Sequence, residues 1–177
     1  VDLWGHVRRQ VEAATASMKA MREMQRDTLV SLMAETAQDY IALRNVQAQA
    51  EITRQSLDIA HHRVDLTLLR VTQGPATKLD LAYARGQLPG FEARLPQLHR
   101  EEVHLLYALA FLMAREPGAL SQRLAGKGGI PPLPASIPVG LPSQLAERRP
   151  DIRAAQERLH AATATIGVAM ADFFPRI

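Results

Sequence analysis

From residue 6 to residue 73 the chain contains neither glycine nor proline, and its apolar positions recur in steps of three and four. The pattern is clearest from Leu43 onward, where Leu43, Val46, Ala50, Thr53, Leu57, Ala60, Val64, Thr67 and Val71 make a heptad seam. Upstream, Met18, Met21, Leu29, Leu32, Met33, Tyr40 and Leu43 carry a less regular stripe in a shifted phase. As one α-helix the breaker-free span would extend roughly 100 Å. Periodicity sustained over such a length indicates a coiled coil or a helical repeat rather than a globular helix. The spacing predicts a helix over 6–71.

Residues 72–77 (TQGPAT) are the only turn signal in the first half of the chain, with Gly74 able to take positive φ and Pro75 fixing direction. Thr77 followed by Asp80 reads as an N-cap with an acidic first turn. Leu81, Ala84, Leu88, Phe91, Leu95, Leu98, Leu105, Leu109 and Leu112 then resume the heptad, which only Glu102 interrupts. The second helix, expected over 78–115, therefore returns alongside the first. Gly86, Pro89, Gly90 and Pro96 predict that it is bent, because an interior proline costs a helix about 3 kcal/mol.

Five prolines between Pro131 and Pro142 mark 116–149 as an extended connector, with a short helical turn expected near Leu120–Leu124. A third helix is expected over 150–172, opened by Pro150 and Asp151 and seamed by Ile152, Ala155, Leu159, Ala162, Ile166 and Ala169. At 173–177 (FFPRI) the helical period stops, and the chain reads as entering a strand.

Composition narrows the chemistry. Alanine is abundant (28 of 177 residues), aromatics make up 5%, and cysteine is absent, which excludes a disulfide scaffold, Cys-ligated metal and a thiol nucleophile. The formal net charge of +3 is too small an excess to argue for nucleic acid. No apolar run is long enough for a membrane-spanning helix, and VDLWGHVRR has no signal-peptide core. His61 and His62 diverge by about 100° on a helix, and His99 and His104 lie five apart, so neither pair aims two imidazoles at one ion. Asp58, Asp65, Glu101 and Glu102 sit in helical stretches among Arg and Gln, as solvated faces or i, i+4 partners do. No phosphate loop or nucleophile elbow is present. Arg148 and Arg149 could bind anions, but beside Pro150 they read as flanks of the third helix, while Trp4 is open to two readings, an interfacial aromatic or a locally packed one. The expectation is a non-enzyme without cofactor or metal.

Three segments together resemble the outer membrane efflux protein family, the TolC-like outer membrane factors, and most closely the lipoprotein (NodT/OprM-like) branch. Leu141–Ile177 is similar to that branch's Leu-Pro-Ser linker, Arg-Arg-Pro-Asp-Ile helix start and Phe-Phe-Pro-Arg-Ile strand start. Arg70–Leu88 resembles the family's hairpin tip through Arg70, Gly74, Thr77 and Leu79-Asp80. Val1–Gly5 resembles the exit from its first β-hairpin. Val71 and Pro75 depart from the family pattern, which has a bulky residue after the tip arginine and an aliphatic one after the tip glycine. Gly86, Pro89 and Gly90 stand where helix formers are usual.

The resemblance implies an all-α piece, a long antiparallel coiled-coil hairpin with a Pro-rich connector and a third helix, drawn from a trimeric channel in which a β-barrel continues into a periplasmic α-barrel. It implies an outer-membrane location with a periplasmic extension, and a passive conduit serving an inner-membrane pump through a periplasmic adaptor (membrane fusion protein). The tip residues Arg70, Gly74, Pro75, Ala76 and Thr77 would bind the adaptor. Asp80 would restrain the closed aperture, a role that stands beside the simpler one of a carboxylate at a helix start. The alternative from another class is a periplasmic adaptor or free-standing coiled-coil interaction protein, which a long hairpin would equally suit.

Overall fold

In the computed structural model, which describes residues 2–125, 128–133, 136 and 142–175, the breaker-free span folds as one uninterrupted helix, α1 (His6–Gln73). It is followed by α2 (Lys78–Gly86), α3 (Leu88–Leu112), α4 (Ser121–Leu124), α5 (Pro142–Arg148) and α6 (Pro150–Ala171). Among the described residues there is no strand, and no helix is long and apolar enough to cross a membrane. Contacts divide the chain into two units, Val1–Ala34 with Pro134–Ile177, and Glu35–Leu133. Helix α1 contributes to both.

In the second unit the heptad seam is the core. Leu43, Val46, Ala50, Thr53 and Ala60 are buried, and Leu57, Val64, Thr67 and Val71 half-buried, each at its place in the heptad. The facing helices supply Ala84, Leu98 and Leu109, with Leu81, Leu88, Phe91, Leu95, Leu105 and Leu112 half-buried. Leu43, Leu106, Leu109, Ala110 and Leu120 make one apolar cluster, and Val46, Ala50 and Leu98 a second. Small residues at Ala50, Thr53, Ala60, Thr67 and Ala84 leave little side chain between the helix axes there, and an antiparallel coiled-coil hairpin results.

The returning helix is two helices rather than one bent rod. Pro89 has no N–H to give Arg85, and the chain breaks at Gln87, whose N–H turns to the carbonyl three residues back, Ala84 O, in a long bond of 3.4 Å. Pro96 is accommodated inside α3. That helix closes with the paired bonds of a Schellman motif, Arg115 N–H to Ala110 O at 2.8 Å and Ala114 N–H to Phe111 O at 2.9 Å, and Ala114 occupies the left-handed position at φ 51° where glycine is usual.

The first unit pairs the start of α1 with α6 by a different chemistry. Asp2 accepts the backbone N–H groups of Val7 (3.2 Å) and Arg8 (3.0 Å), supplying acceptors for the orphan donors of α1. Those bonds, Arg8's first, hold the Asp2 carboxyl below the usual carboxylate range. Trp4 stacks on Phe174 with ring centres 4.5 Å apart and donates to the carbonyl of Pro175 at 3.1 Å, so the local packing reading of Trp4 holds although the ring remains half in solvent. The helices meet through Ala16 and Ala20 on α1 and Ala154, Ala164 and Ala171 on α6. Polar contacts cross between them: His160 to Glu12 at 2.9 Å, and the ion pair of Arg153 with Glu23 at 3.8 Å.

This phase corrects the expected third seam. Leu159 and Ile166, placed by periodicity on the packed face, are 69% and 61% exposed, and Ala155, Ala162 and Ala169 are exposed with them. The buried positions are Ala154, Ala164 and Ala171, with Glu157, Ala161 and Val168 half-buried on the same stripe and Ile152, of the expected seam, half-buried as well. Small residues and ion pairs set the phase, because α1 offers alanines and carboxylates here. The Met18, Met21, Leu29, Leu32 and Met33 stripe is likewise exposed.

The connector also differs from the extended chain expected over 116–149, since α5 follows the short turn of α4. Pro142 suits a first helical position, and Ser-Gln-Leu-Ala-Glu-Arg sustains the turns. Arg149 ends the helix with extended backbone, the conformation favoured before a proline, and pairs with Asp151 through two bonds of 3.0 and 2.6 Å. Asp172 and Phe173 form a turn beyond α6 and Phe174 a bend, with no strand among the described residues there, and the expected strand start continues to Arg176 and Ile177, outside the described residues.

Two substitutions test this packing. Ala60→Phe should overfill the seam and destabilise the hairpin by about 1–3 kcal/mol in a thermal melt, whereas Ile59→Ser, next to it on the exposed face, should stay within about 0.5 kcal/mol. Ala114→Gly should stabilise by about 1 kcal/mol, by relieving the left-handed alanine.

Candidate functional site: the hairpin tip

The tip is built by two helix ends and the three residues between them and Thr77. Helix α1 closes with Arg70 in its last turn, where a cation suits the negative end of the dipole. Arg70 also offers its carbonyl to the N–H of Gly74 at 3.0 Å. Thr72 folds its hydroxyl onto the carbonyl of Leu69 at 2.7 Å. Gly74 then turns the chain at φ +100°, a conformation that β-branched residues rarely adopt, and a Cβ added there would meet nothing within 4 Å. The constraint at Gly74 is therefore conformational rather than steric crowding by neighbours.

Thr77 has extended backbone (φ −101°, ψ 161°) and caps α2 in a reciprocal box. Its hydroxyl oxygen accepts the N–H of Asp80 at 3.2 Å, and the Asp80 carboxylate accepts from the backbone N–H of Thr77 at 2.8 Å and from its hydroxyl at 2.7 Å. The Thr77 hydroxyl, then its backbone N–H, lowers the Asp80 pKa below the ordinary aspartate value, so the carboxylate is charged at neutral pH. Arg70, Gly74, Pro75, Thr77 and Asp80 are all exposed and Ala76 is half-buried. The predicted tip residues thus fall on one turn, and Asp80 is engaged locally with Thr77.

Sequence reasoning passed over the apolar surface beside the tip. Leu68, Leu69, Leu79 and Tyr83 are exposed, and the signal available for them was apolar residues standing off the seam phase. A second stripe runs along α1: Ile52, Ile59 and Leu66, at strict spacings of seven, are 62%, 69% and 59% exposed. Of the histidines singled out earlier, His62 turns Nδ1 to the carbonyl of Asp58 at 2.9 Å, and His99 lies 3.8 Å from Glu102. Among the described residues no three His, Asp or Glu side chains come together as a metal site would require.

Comparison with known proteins gives one consistent answer. The model of the outer membrane efflux protein family matches residues 1–115. Outer membrane protein OprJ of Pseudomonas aeruginosa is 35% identical over 177 residues, covering 100% of this chain and 37% of that protein. Nodulation protein T of Rhizobium leguminosarum bv. viciae is 31% identical, with 100% of this chain and 37% of its own length covered. The solved structure of the outer-membrane channel OprN superposes with a TM-score of 0.89 at 36% identity, over 99% of this chain and 39% of that one. The chain therefore spans a little over a third of the length of these relatives.

The capping box predicts a local effect at the tip. Thr77→Ala should lower the stability of the first turn of α2 by about 1 kcal/mol, read by amide exchange at Asp80 and Leu81. Because the Asp80 pKa is lowered on folding, its contribution is fully present above the ordinary aspartate pKa and is lost as acid takes the pH down through the folded value. Protection of those amides should fall over that acid window in the wild type, and Asp80→Asn should flatten the response.

Proposed function

The chain belongs to the outer membrane efflux protein family, and on that premise we propose that its helices form part of the wall of an outer-membrane efflux conduit that extends into the periplasm. In this reading the duct is passive. No bond is made or broken along it, and the energy for export comes from an inner-membrane pump reached through a periplasmic adaptor. The complete protein assembles as a homotrimer, and its exported compounds are drugs or other small molecules.

One observation carries the reading. Helix α1 buries one heptad seam against α2 and α3 and presents a second apolar stripe, Ile52, Ile59 and Leu66, to the outside. A free-standing hairpin needs only its seam and would keep the other face polar. A helix inside a wall needs two apolar faces, one for each neighbour. The stripe therefore favours the wall over the free-standing interaction protein. Leu159 and Ile166 on α6 repeat the feature in the other unit.

The tip, with Arg70, Gly74, Pro75, Ala76 and Thr77 on a single exposed turn, is the docking surface for the adaptor in this reading. A turn of this kind contributes little to a remote core, so changing it removes contacts while the seams persist. Asp80 holds the closed aperture, and its capping bonds set the carboxylate in place for that contact.

In an efflux-deficient strain complemented with the full-length gene, Gly74→Val combined with Ala76→Asp should abolish pump-dependent resistance with normal amounts of trimer in the outer membrane. Normal resistance would reduce the tip to a turn. Asp80→Asn should raise inward leakage of large antibiotics. Ile59→Asp with Leu66→Asp should block trimer assembly and leave the melting of the isolated chain unchanged, whereas full assembly of that variant would remove the second apolar face from the wall.

A further inference from the structure

We infer that Arg44, Gln47 and Glu102 form a polar latch that holds the start of the connector across the hairpin, and that the latch closes only in one register of α1 against α3. The starting point is the single break in the heptad of the returning helix. A leucine at position 102 would complete the apolar seam, yet the residue there is a half-buried glutamate. Its carboxylate accepts the side-chain N–H of Gln47 from α1 at 2.9 Å. The same amide donates at 2.9 Å to the carbonyl of Leu124, the last residue of α4.

Arg44, one turn earlier on α1, completes the arrangement. It donates to the Leu124 carbonyl at 3.2 Å and to the side-chain oxygen of Gln47 at 2.8 Å. Its Nε reaches the Tyr40 hydroxyl at 3.2 Å, and the guanidinium lies 5.1 Å from the centre of the Tyr40 ring. Arg44 is only 7% exposed, and a guanidinium buried to that degree is tolerable only when its donors are used. The Leu124 carbonyl has no following helical turn to satisfy it. Each of the two groups thus meets the other's requirement.

The backbone beyond α4 conforms to the same point. A Cβ at Gly128 would press on the Arg44 guanidinium, so the backbone at Gly128 lies against the cation. Past it, residues 129–133 are exposed and without regular structure. The attached part of the connector therefore ends at the latch. Its donors stand three residues apart on α1 and its carboxylate stands on α3. A slip of one helical turn, about 5.4 Å, would take Glu102 out of hydrogen-bond reach of Gln47.

Hydrogen–deuterium exchange on the full chain tests the latch, reading residues 116–125, where the N–H groups of Ala119, Ser121 and Leu124 are bonded within the connector's own turns. Glu102→Leu should complete the seam and raise the melting temperature, while accelerating exchange at 116–125 about three- to tenfold through the lost hydrogen bond. Arg44→Lys should accelerate the same segment, and Glu102→Gln, which keeps an acceptor, should restore wild-type protection. Exchange over 50–64 and 91–105 should not change. Unaltered exchange at 116–125 in both Glu102→Leu and Arg44→Lys would overturn the latch, as would an equal acceleration of the hairpin segments. If Arg44→Lys loses helicity by circular dichroism, the opposed responses of the two Glu102 variants decide alone.

Discussion

A helix of 68 residues depends on being covered. Helical propensity is a small and length-dependent source of stability, and most of what holds a helix in a protein comes from packing an apolar face. For α1 that requirement is met in two ways within one continuous element, and much of the remaining architecture follows from it. The returning helices, the connector's attachment and the position of α6 each answer the need of some face of α1.

The two units solve the problem with different chemistry. From Leu43 to Val71 the seam is apolar and regular, with alanine and threonine interleaved among leucine and valine, so close approach and burial reinforce one another. Over the first 34 residues α1 offers Ala16, Ala20 and Glu23 to α6, and burial of alanines alone is a modest gain. His160 with Glu12 and Arg153 with Glu23 then fix the phase of the pair more than they add to its stability. The larger apolar residues of the same helices face outward.

At the tip the forces become local. Gly74 turns the chain through backbone freedom, and the Thr77–Asp80 box closes the start of α2 without help from the hairpin core. A surface of this kind is free to vary while the long seams remain unchanged. That separation between a covered stem and a locally organised end suits a protein whose family spans the outer membrane and periplasm in efflux systems.

The sequence by itself determined the long helix, the turn at 72–77, the seam from Leu43 to Val71 and its counterpart on the returning helices. The reason is that glycine, proline and a strict heptad act through local geometry and regular repetition. It also carried the Thr77–Asp80 cap, a contact between residues three apart. The phase of α6 was different: Leu159 and Ile166 gave the stronger periodic signal, but the packed face is the one with Ala154, Ala164 and the partners of Glu12 and Glu23. A helix with two usable faces does not say which neighbour takes which. Glu102 likewise read as an interruption in the heptad until Gln47 and the Leu124 carbonyl stood beside it. Gln47 lies 55 residues from Glu102 and 77 from Leu124 along the chain, beyond any local pattern, so only the tertiary structure could pair that carboxylate with the Gln47 amide.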